Sequence, residues 1–336
     1  MTSLRRRIQI LGLVLLAVTG ITMTILSRLW EERADIADLA WQYAEPADGE
    51  AGSVTATWFG VSTLLFDDGE TQIMIDGAFT RIPLRDILTL RRVSSDIATI
   101  NYALAEYRVD RLAAIVAVHS HFDHAIDIGH IANRSSAVVL GSESTAYVAR
   151  GADVPVEQYQ ILASGESRQF GEFTITLINS KHAPIGFGDE GWLPGQIRQP
   201  LVQPARITAW REGESYSIVI GHPRGTTLVQ GSGGFIKGNL RGVSVDVVML
   251  SVAGLAGLGQ DYVAALWRET VAATGARRLY PIHYEDFTRP LGEIILFPDI
   301  VDNVARTAGW INELAAAGEN PVDIQLLPFG DAIVLY

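Results

Sequence analysis

Residues 119–124 read His119-Ser120-His121-Phe122-Asp123-His124, which puts four groups able to bind a metal ion within six positions. Imidazole and carboxylate are ligands that zinc accepts, and a hydrolytic zinc site uses three protein ligands and keeps one position open. Four ligands on one short turn exceed that need, so the cluster predicts two metals side by side. The chain has no cysteine, which excludes disulfides and thiolate sites and leaves His and Asp as its metal-binding chemistry. Four ligands cannot complete two sites, and four histidines remain: His130, His182, His222 and His283. His182 follows the strand-like Phe173 to Ile178, and His283 ends the apolar run Leu279-Tyr280-Pro281-Ile282, so a sheet edge can present both. His130 reads as a capping or packing residue on a helix, and His222, in Gly221-His222-Pro223-Arg224-Gly225, as a surface turn residue.

The elements that must position these groups are mostly short strands. The cluster itself follows Leu112-Ala113-Ala114-Ile115-Val116-Ala117-Val118, an apolar run of buried-strand type. Upstream, Val54 to Phe59, Thr63 to Phe66 and Gln72 to Ile75 are separated by Gly and Asp-Asp-Gly turns, as in a meander. Residues 81–110 have a helical period and predict an inserted surface helix pair. Further strands are expected at 172–179, 216–220, 226–230, 245–252 and 277–282, and helices near 143–150, 260–274 and 299–317. This order predicts two mixed sheets packed together with helices outside.

Nearly half of the 336 residues are apolar and 19% are charged, enough for a large core. The formal net charge of −12 argues against a nucleic-acid partner, which calls for a basic face. At the amino terminus Arg5-Arg6-Arg7 precedes Ile8 to Leu26, an apolar stretch long enough at about 1.5 Å per residue to cross the ~30 Å core of a bilayer. It lacks a small-residue cleavage site, so residues 1–27 read as an uncleaved signal anchor. The arginines should stay cytoplasmic, which puts the body on the extracytoplasmic (periplasmic) side; secretion after cleavage is the alternative. Residues 28–52 read as a juxtamembrane linker, with a short amphipathic helix over Trp30 to Tyr43 broken by Glu45-Pro46-Ala47-Asp48-Gly49. Residues 53–336 form the main domain.

The motif His-x-His-x-Asp-His after a strand, a later lone His, and a last His after a carboxy-terminal strand resemble the metallo-β-lactamase superfamily. Thr57-Trp58-Phe59-Gly60-Val61-Ser62-Thr63-Leu64-Leu65 and Ile73-Met74-Ile75-Asp76-Gly77 are similar to that superfamily's opening hairpin. The texture is that of the branch containing ascorbate-6-phosphate lactonase and N-acyl-phosphatidylethanolamine-hydrolysing phospholipase D. The resemblance covers residue 53 to the end and implies an αββα sandwich with metals at one edge of the sheets. By position it implies a first metal on His119, His121 and His182 and a second on Asp123, His124 and His283. Many members carry a bridging Asp after a Gly; here Leu228-Val229-Gln230-Gly231-Ser232 puts Ser232 at that point, which weakens the bridge and leaves a weaker second metal or a one-metal enzyme as alternatives.

Such a site is expected to hydrolyse a phosphodiester or ester with a metal-bound hydroxide. Zinc is the default metal, two per chain by the ligand count, with Mn or Fe also accepted by the donor set. Two divalent ions against one carboxylate and one hydroxide leave about +2, which favours an anionic small-molecule or lipid substrate. The alternatives are a lactonase or β-lactamase-type amide hydrolase, and a metal-bearing envelope protein without catalysis. Asp123 is expected to orient water as well as bind metal. Asp127 either supports a ligand histidine or caps the next helix, and Asp76 is expected to hold the ligand turn by hydrogen bonds. Tyr284 and Glu285 read as solvated, as does Lys181. Residues 184–204, with Trp192, Leu193 and Pro194, form either a lid over the metal edge, or a lipid contact, or a plain ordered loop.

Overall fold

Strands that are apolar on both faces must be covered on both sides, and that demand organises this chain. The computed structural model describes residues 2–47, 52–186, 191–318 and 321–336. In chain order the strands are β1 (Gln42–Tyr43), β2 (Thr55–Trp58), β3 (Leu64–Asp67), β4 (Gln72–Ile75), β5 (Arg92–Val93), β6 (Leu112–Val116), β7 (Val138–Gly141), β8 (Tyr159–Ile161) and β9 (Ser167–Phe170). They continue with β10 (Phe173–Asn179), β11 (Ala205–Arg206), β12 (Tyr216–His222), β13 (Gly225–Gln230), β14 (Val247–Ser251), β15 (Arg278–Ile282), β16 (Asp323–Leu326) and β17 (Ala332–Val334).

One sheet runs β17-β2-β3-β4-β6-β7-β8 and the other β1-β16-β15-β14-β13-β12-β10-β9, while β5 and β11 pair apart from both. The period of two along a strand assigns each face. Leu64, Phe66, Ile73, Ile75, Ala114, Val116 and Val118 share one core with Ile175, Leu177, Ile218, Ile220, Val248 and Leu250 of the second sheet. The alternate residues Leu65, Met74, Ile115 and Ala117 pack instead with Ile100 and Leu104 of helix Ile97–Glu106 and with Ile128 and Ile131 of helix Ile128–Ser135. Helices Gln260–Trp267 and Val304–Ala317 cover the second sheet through Val263, Leu266, Val304, Ala308 and Ile311. The result is the expected αββα sandwich.

Two expectations are corrected. The amino-terminal helix runs to Glu31, beyond residue 27, and its Ile8–Glu31 portion of 24 residues is long and apolar enough to cross a membrane. No amphipathic helix forms over Trp30 to Tyr43. A 3-10 turn, Ile36–Leu39, is capped by the Asp35 carboxylate, and β1 then pairs in parallel with β16. Leu39, Trp41 and Ala44 are buried in the main core, and the Trp41 indole donates to Asn312 Oδ1 at 2.7 Å, so this stretch is packed structure rather than loose linker. Residues 48 and 49 of the expected break lie outside the described residues. The helix expected over 260–274 is present, with a π turn, Arg268–Ala272, following its α-helical part Gln260–Trp267.

Leu39→Ala is therefore expected to destabilise the chain by about 2–5 kcal/mol, the usual cost of emptying a buried leucine site. The denaturant midpoint measures it, and an unchanged midpoint would mean that residues 36–44 add nothing to the core.

Candidate metal centre

The strand β6 delivers its apolar run straight into the histidine turn, and Asp76 fixes where that turn begins. Asp76 follows β4 in a left-handed conformation (φ 59°), which turns the chain away while its carboxyl points back into the fold. The Asp76 Oδ1 accepts from the Val118 N–H at 2.8 Å. Its Oδ2 accepts from Ser62 Oγ at 2.6 Å and from His124 Nδ1 at 2.8 Å. With Nδ1 held by Asp76, His124 turns its Nε2 toward Asp123 Oδ2, 3.6 Å away. The expected role of Asp76 in holding the ligand turn is met, and it sets one ligand ring's orientation as well.

The same logic orients the other rings. His182 Nδ1 lies 2.7 Å from its acceptor, the Ala183 carbonyl, which frees Nε2. His121 Nε2 lies 3.3 Å from the Leu193 carbonyl, which leaves the lone pair on Nδ1, and that atom sits 3.0 Å from His119 Nε2. The His283 N–H donates to the Val61 carbonyl at 3.0 Å; this residue too is left-handed (φ 58°), and its Nε2 lies 3.5 Å from Asp123 Oδ2. Donor atoms of His119, His121 and His182 lie within 4.8 Å of one another, as do those of Asp123, His124 and His283. The two groups adjoin, with the His119 and His124 rings 3.9 Å apart. Close approach also explains one glycine: a Cβ on Gly234 would come within 2.0 Å of the Lys181 carbonyl oxygen, just before His182.

Electrostatics prepare these groups for a cation. Burial, reinforced by the neighbouring histidines, holds His119 well below the usual imidazole range. Burial and then His182 push His121 down to about 3, and burial lowers His182. These three neutral rings keep their lone pairs at pH 7, whereas at His124 burial is outweighed by the carboxylates of Asp123 and Asp76, which raise it. Burial alone would raise the Asp123 carboxyl, but His124 and His283 beside it carry it below the carboxylate range. Asp123 Oδ1 has no hydrogen-bond partner among the described residues. Buried, unprotonated nitrogens converging on one another, next to an anionic oxygen with a free lone pair, fit metal ions and little else.

Other expectations divide. Ser232 Oγ donates to the Lys181 carbonyl at 3.2 Å, so this hydroxyl braces the residue before His182. Lys181 is exposed. Asp127 does neither of its expected jobs: its carboxyl accepts from the Thr80 N–H at 2.6 Å and Thr80 Oγ1 at 2.8 Å and caps no helix, and burial pushes it up to about 6. Tyr284 and Glu285 are buried, not solvated. Tyr284 stacks on Trp58 at 5.1 Å, and Glu285 Oε1 accepts from the Val61 N–H at 2.5 Å with Arg81 3.9 Å away. His130 lies in helix Ile128–Ser135, where packing was expected. His222 is no surface residue; its side chain lies between Asp68 at 3.6 Å and Phe173 at 5.0 Å. Glu212 was missed: its Oε1 accepts from the His182 N–H at 3.3 Å and Ser215 Oγ at 2.8 Å, and its carbonyl from the Ser120 N–H. Nothing in its surroundings, Arg211-Glu212-Gly213-Glu214, signals that role.

A cavity of about 480 Å³ opens onto His121, Asp123, His182 and His283. Trp192 lies over it, its ring 5.8 Å from that of His121. Residues 187–190 of the expected lid segment lie outside the described residues.

The chain is similar in sequence and fold to known proteins. The family model described as "Metallo-beta-lactamase superfamily" matches residues 56–281, about two thirds of the chain. A "UPF0173 metal-dependent hydrolase" of Xanthobacter autotrophicus is 26% identical over 167 residues, 47% of this chain and 61% of that one. A protein of the same description from Methylobacterium nodulans is 25% identical over 232 residues, 69% of this chain and 85% of its own. The chain thus spans 61% of the length of the first relative and 85% of the second. Among solved structures, a protein of Veillonella parvula described as a possible metal-dependent hydrolase superposes with a TM-score of 0.50 at 12% identity, over 84% of this chain and 100% of that one; the likeness is one of fold.

Asp76→Asn is expected to weaken metal binding at the Asp123–His124–His283 group by about 10–100-fold, the usual effect of losing the group that orients a ligand. Chelator-competition titration measures it, and wild-type affinity at both groups would rule the orienting role out.

Proposed function

This chain belongs to the metallo-β-lactamase superfamily, and from that membership we propose that it is a metal-dependent hydrolase of anionic phosphodiesters or esters, lipid-derived ones among them. One observation carries the reading: two adjoining trios of ligand-type groups, His119, His121 and His182 beside Asp123, His124 and His283, at the mouth of a cavity. We assign one metal ion to each trio. Zinc is the metal that a nitrogen and oxygen donor set without sulfur takes by default, and Mn or Fe fit the same donors. When bound, the ions supply an activated water near neutral pH and polarise the substrate oxygen.

The chain's own groups have distinct parts in this reading. Asp123 is the anionic member of the trios and accepts a hydrogen bond from the attacking water, orienting it. Asp76, Ser62 and Glu212 keep His124 and His182 turned toward the ions. Trp192 covers the site and excludes bulk water. The absence of a second ligating carboxylate leaves the loaded site more electropositive, which selects an anionic substrate despite the net charge of −12 around it. The same net charge opposes nucleic acid as that substrate. We further propose that residues 1–27 anchor the chain in a membrane, with residues 53–336 as the catalytic body on the extracytoplasmic side. Arg5-Arg6-Arg7 before the apolar helix supports that orientation.

The purified chain is expected to carry two metals by elemental analysis and to hydrolyse bis(p-nitrophenyl) phosphate. His121→Ala should lower kcat/KM by more than roughly a hundredfold, since even an outer-shell loss costs 10–100-fold. Activity confined to lactones or β-lactams would replace the substrate assignment, and metal without any turnover would refute the enzyme. A phosphodiester should also be preferred to a neutral ester of matched size, and equal kcat/KM on the two would sink the electropositive-site argument.

A further inference from the structure

We propose that the cavity is loaded from a membrane surface: Ile300 and its rim sit in the bilayer interface, and the substrate is a membrane-resident anionic amphiphile whose head group reaches the two trios. This deepens the hydrolase reading above and rests on it for the chemistry, but its contact with lipid stands on separate observations. The first is the cavity wall. Away from the candidate ligands it is built from Ile185, Trp192, Leu258, Phe287, Phe297 and Val301. A small polar ester gives no use to so much apolar wall, whereas a hydrocarbon chain does.

The second is where that wall ends. Ile300 and Val301 are adjacent, 53% and 52% exposed, and Val301 also lines the cavity. Val301 thus belongs both to the cavity lining, beside the buried carboxyl of Asp302, and to the outer surface, where Ile300 adjoins it.

The third is what holds this rim. The Asp299 N–H donates to the Glu32 carbonyl at 2.9 Å, one residue past the apolar helix that ends at Glu31. Arg33 donates to the Leu296 carbonyl at 3.0 Å and lies 3.7 Å from the Asp286 carboxylate. The segment that forms the rim is therefore pinned, on both sides of Phe297, to the exit of the helix that can cross a membrane. Consecutive Cα atoms are 3.8 Å apart, so Ile300 lies two such steps and one hydrogen-bonded pair from Glu31, within roughly 13 Å of that exit. An interfacial apolar group penetrates roughly 5–10 Å, a comparable length. The helix thus sets both the height and the facing of the cavity mouth, and it does so whichever side of the membrane carries the body.

Two measurements on the full chain in phosphatidylcholine vesicles test this; a neutral lipid avoids repulsion of the acidic body. The chain has no native cysteine, so Ile300→Cys can carry a single environment-sensitive fluorophore. Spin-labelled lipid is expected to quench at least half of its emission, and emission that ignores the quencher overturns the proposal whatever the substrate is. In the second measurement Ile300→Asp meets two phosphodiesters with one reacting group, a long-chain form dissolved in the vesicle and a short water-soluble form. The substitution is expected to lower kcat/KM at least tenfold on the vesicle-borne form and leave the soluble form unchanged. Equal effects on both, or none on either, overturn it. If the unaltered chain hydrolyses neither compound, the phosphodiester reading falls, and the quenching result still decides the membrane contact.

Discussion

A carboxyl group with no exposure to solvent is tolerated only where donors meet both of its oxygens, and Asp76 is such a group. Its three donors come from three parts of the chain: the β2–β3 turn through Ser62, the end of β6 through Val118, and the histidine turn through His124. Satisfying this one group therefore fixes where β6 stops, how the ligand turn leaves it, and which nitrogen of His124 turns toward Asp123. The left-handed backbone at Asp76 is part of the same arrangement. A residue with φ near +60° costs of order 1–3 kcal/mol and persists only where its surroundings determine it fully. The hydrogen bonds of Asp76 supply that determination.

His283, a ligand candidate whose own backbone is left-handed, depends on a second buried network. Its N–H donates to the Val61 carbonyl, and the Val61 N–H donates in turn to Glu285. Arg81 sits beside Glu285 and donates to the Phe59 carbonyl at 2.7 Å; burial lowers its guanidinium pKa, against the pull of Glu285. A Cβ on Gly60 would lie 2.2 Å from that guanidinium, so the turn admits only glycine there. The turn between β2 and β3 thus serves both ends of the site, Ser62 holding His124 and Val61 holding His283. Each candidate ligand from a distant segment is tied to the histidine turn through backbone rather than through side chains alone.

This division explains what was legible in the sequence. His119 to His124 stood out because metal-ligand types are uncommon and were adjacent, at the end of a run with a clear strand pattern. His182 and His283 were legible because each follows a strand, and the αββα arrangement followed from the order of apolar runs. The supporting groups were not legible, because their partners are far away in the chain. Glu285 reads as a loop acid until Arg81 and the Val61 N–H enclose it, and Tyr284 reads as exposed until Trp58 stacks on it. The segment Trp30 to Tyr43 has apolar residues at helical spacing, yet Leu39 and Trp41 are drawn inward by a β16 edge nearly 300 residues later. Local period lost to a long-range pairing that no window on the sequence contains. Asp127 is the same case, its helix-start position overridden by Thr80.

Ser232 shows how a single substitution of type redistributes charge without disturbing the frame. At the point where the superfamily pattern expects a bridging carboxylate, the chain has a neutral hydroxyl, and that hydroxyl donates to the Lys181 carbonyl. The hydrogen bond keeps the segment before His182 in place, helped by the bridge pairing of His182 with Gly233, so the ligand position survives the loss of the acid. What is lost is one negative charge beside the proposed ions. A site with Asp123 as its lone ligating carboxylate neutralises less of a dication pair, and a substrate that brings its own negative charge then contributes what the protein leaves out. On the proposed reading the fixed charge of the site and the charge of an anionic substrate are complementary, and the apolar remainder of the cavity selects among such anions.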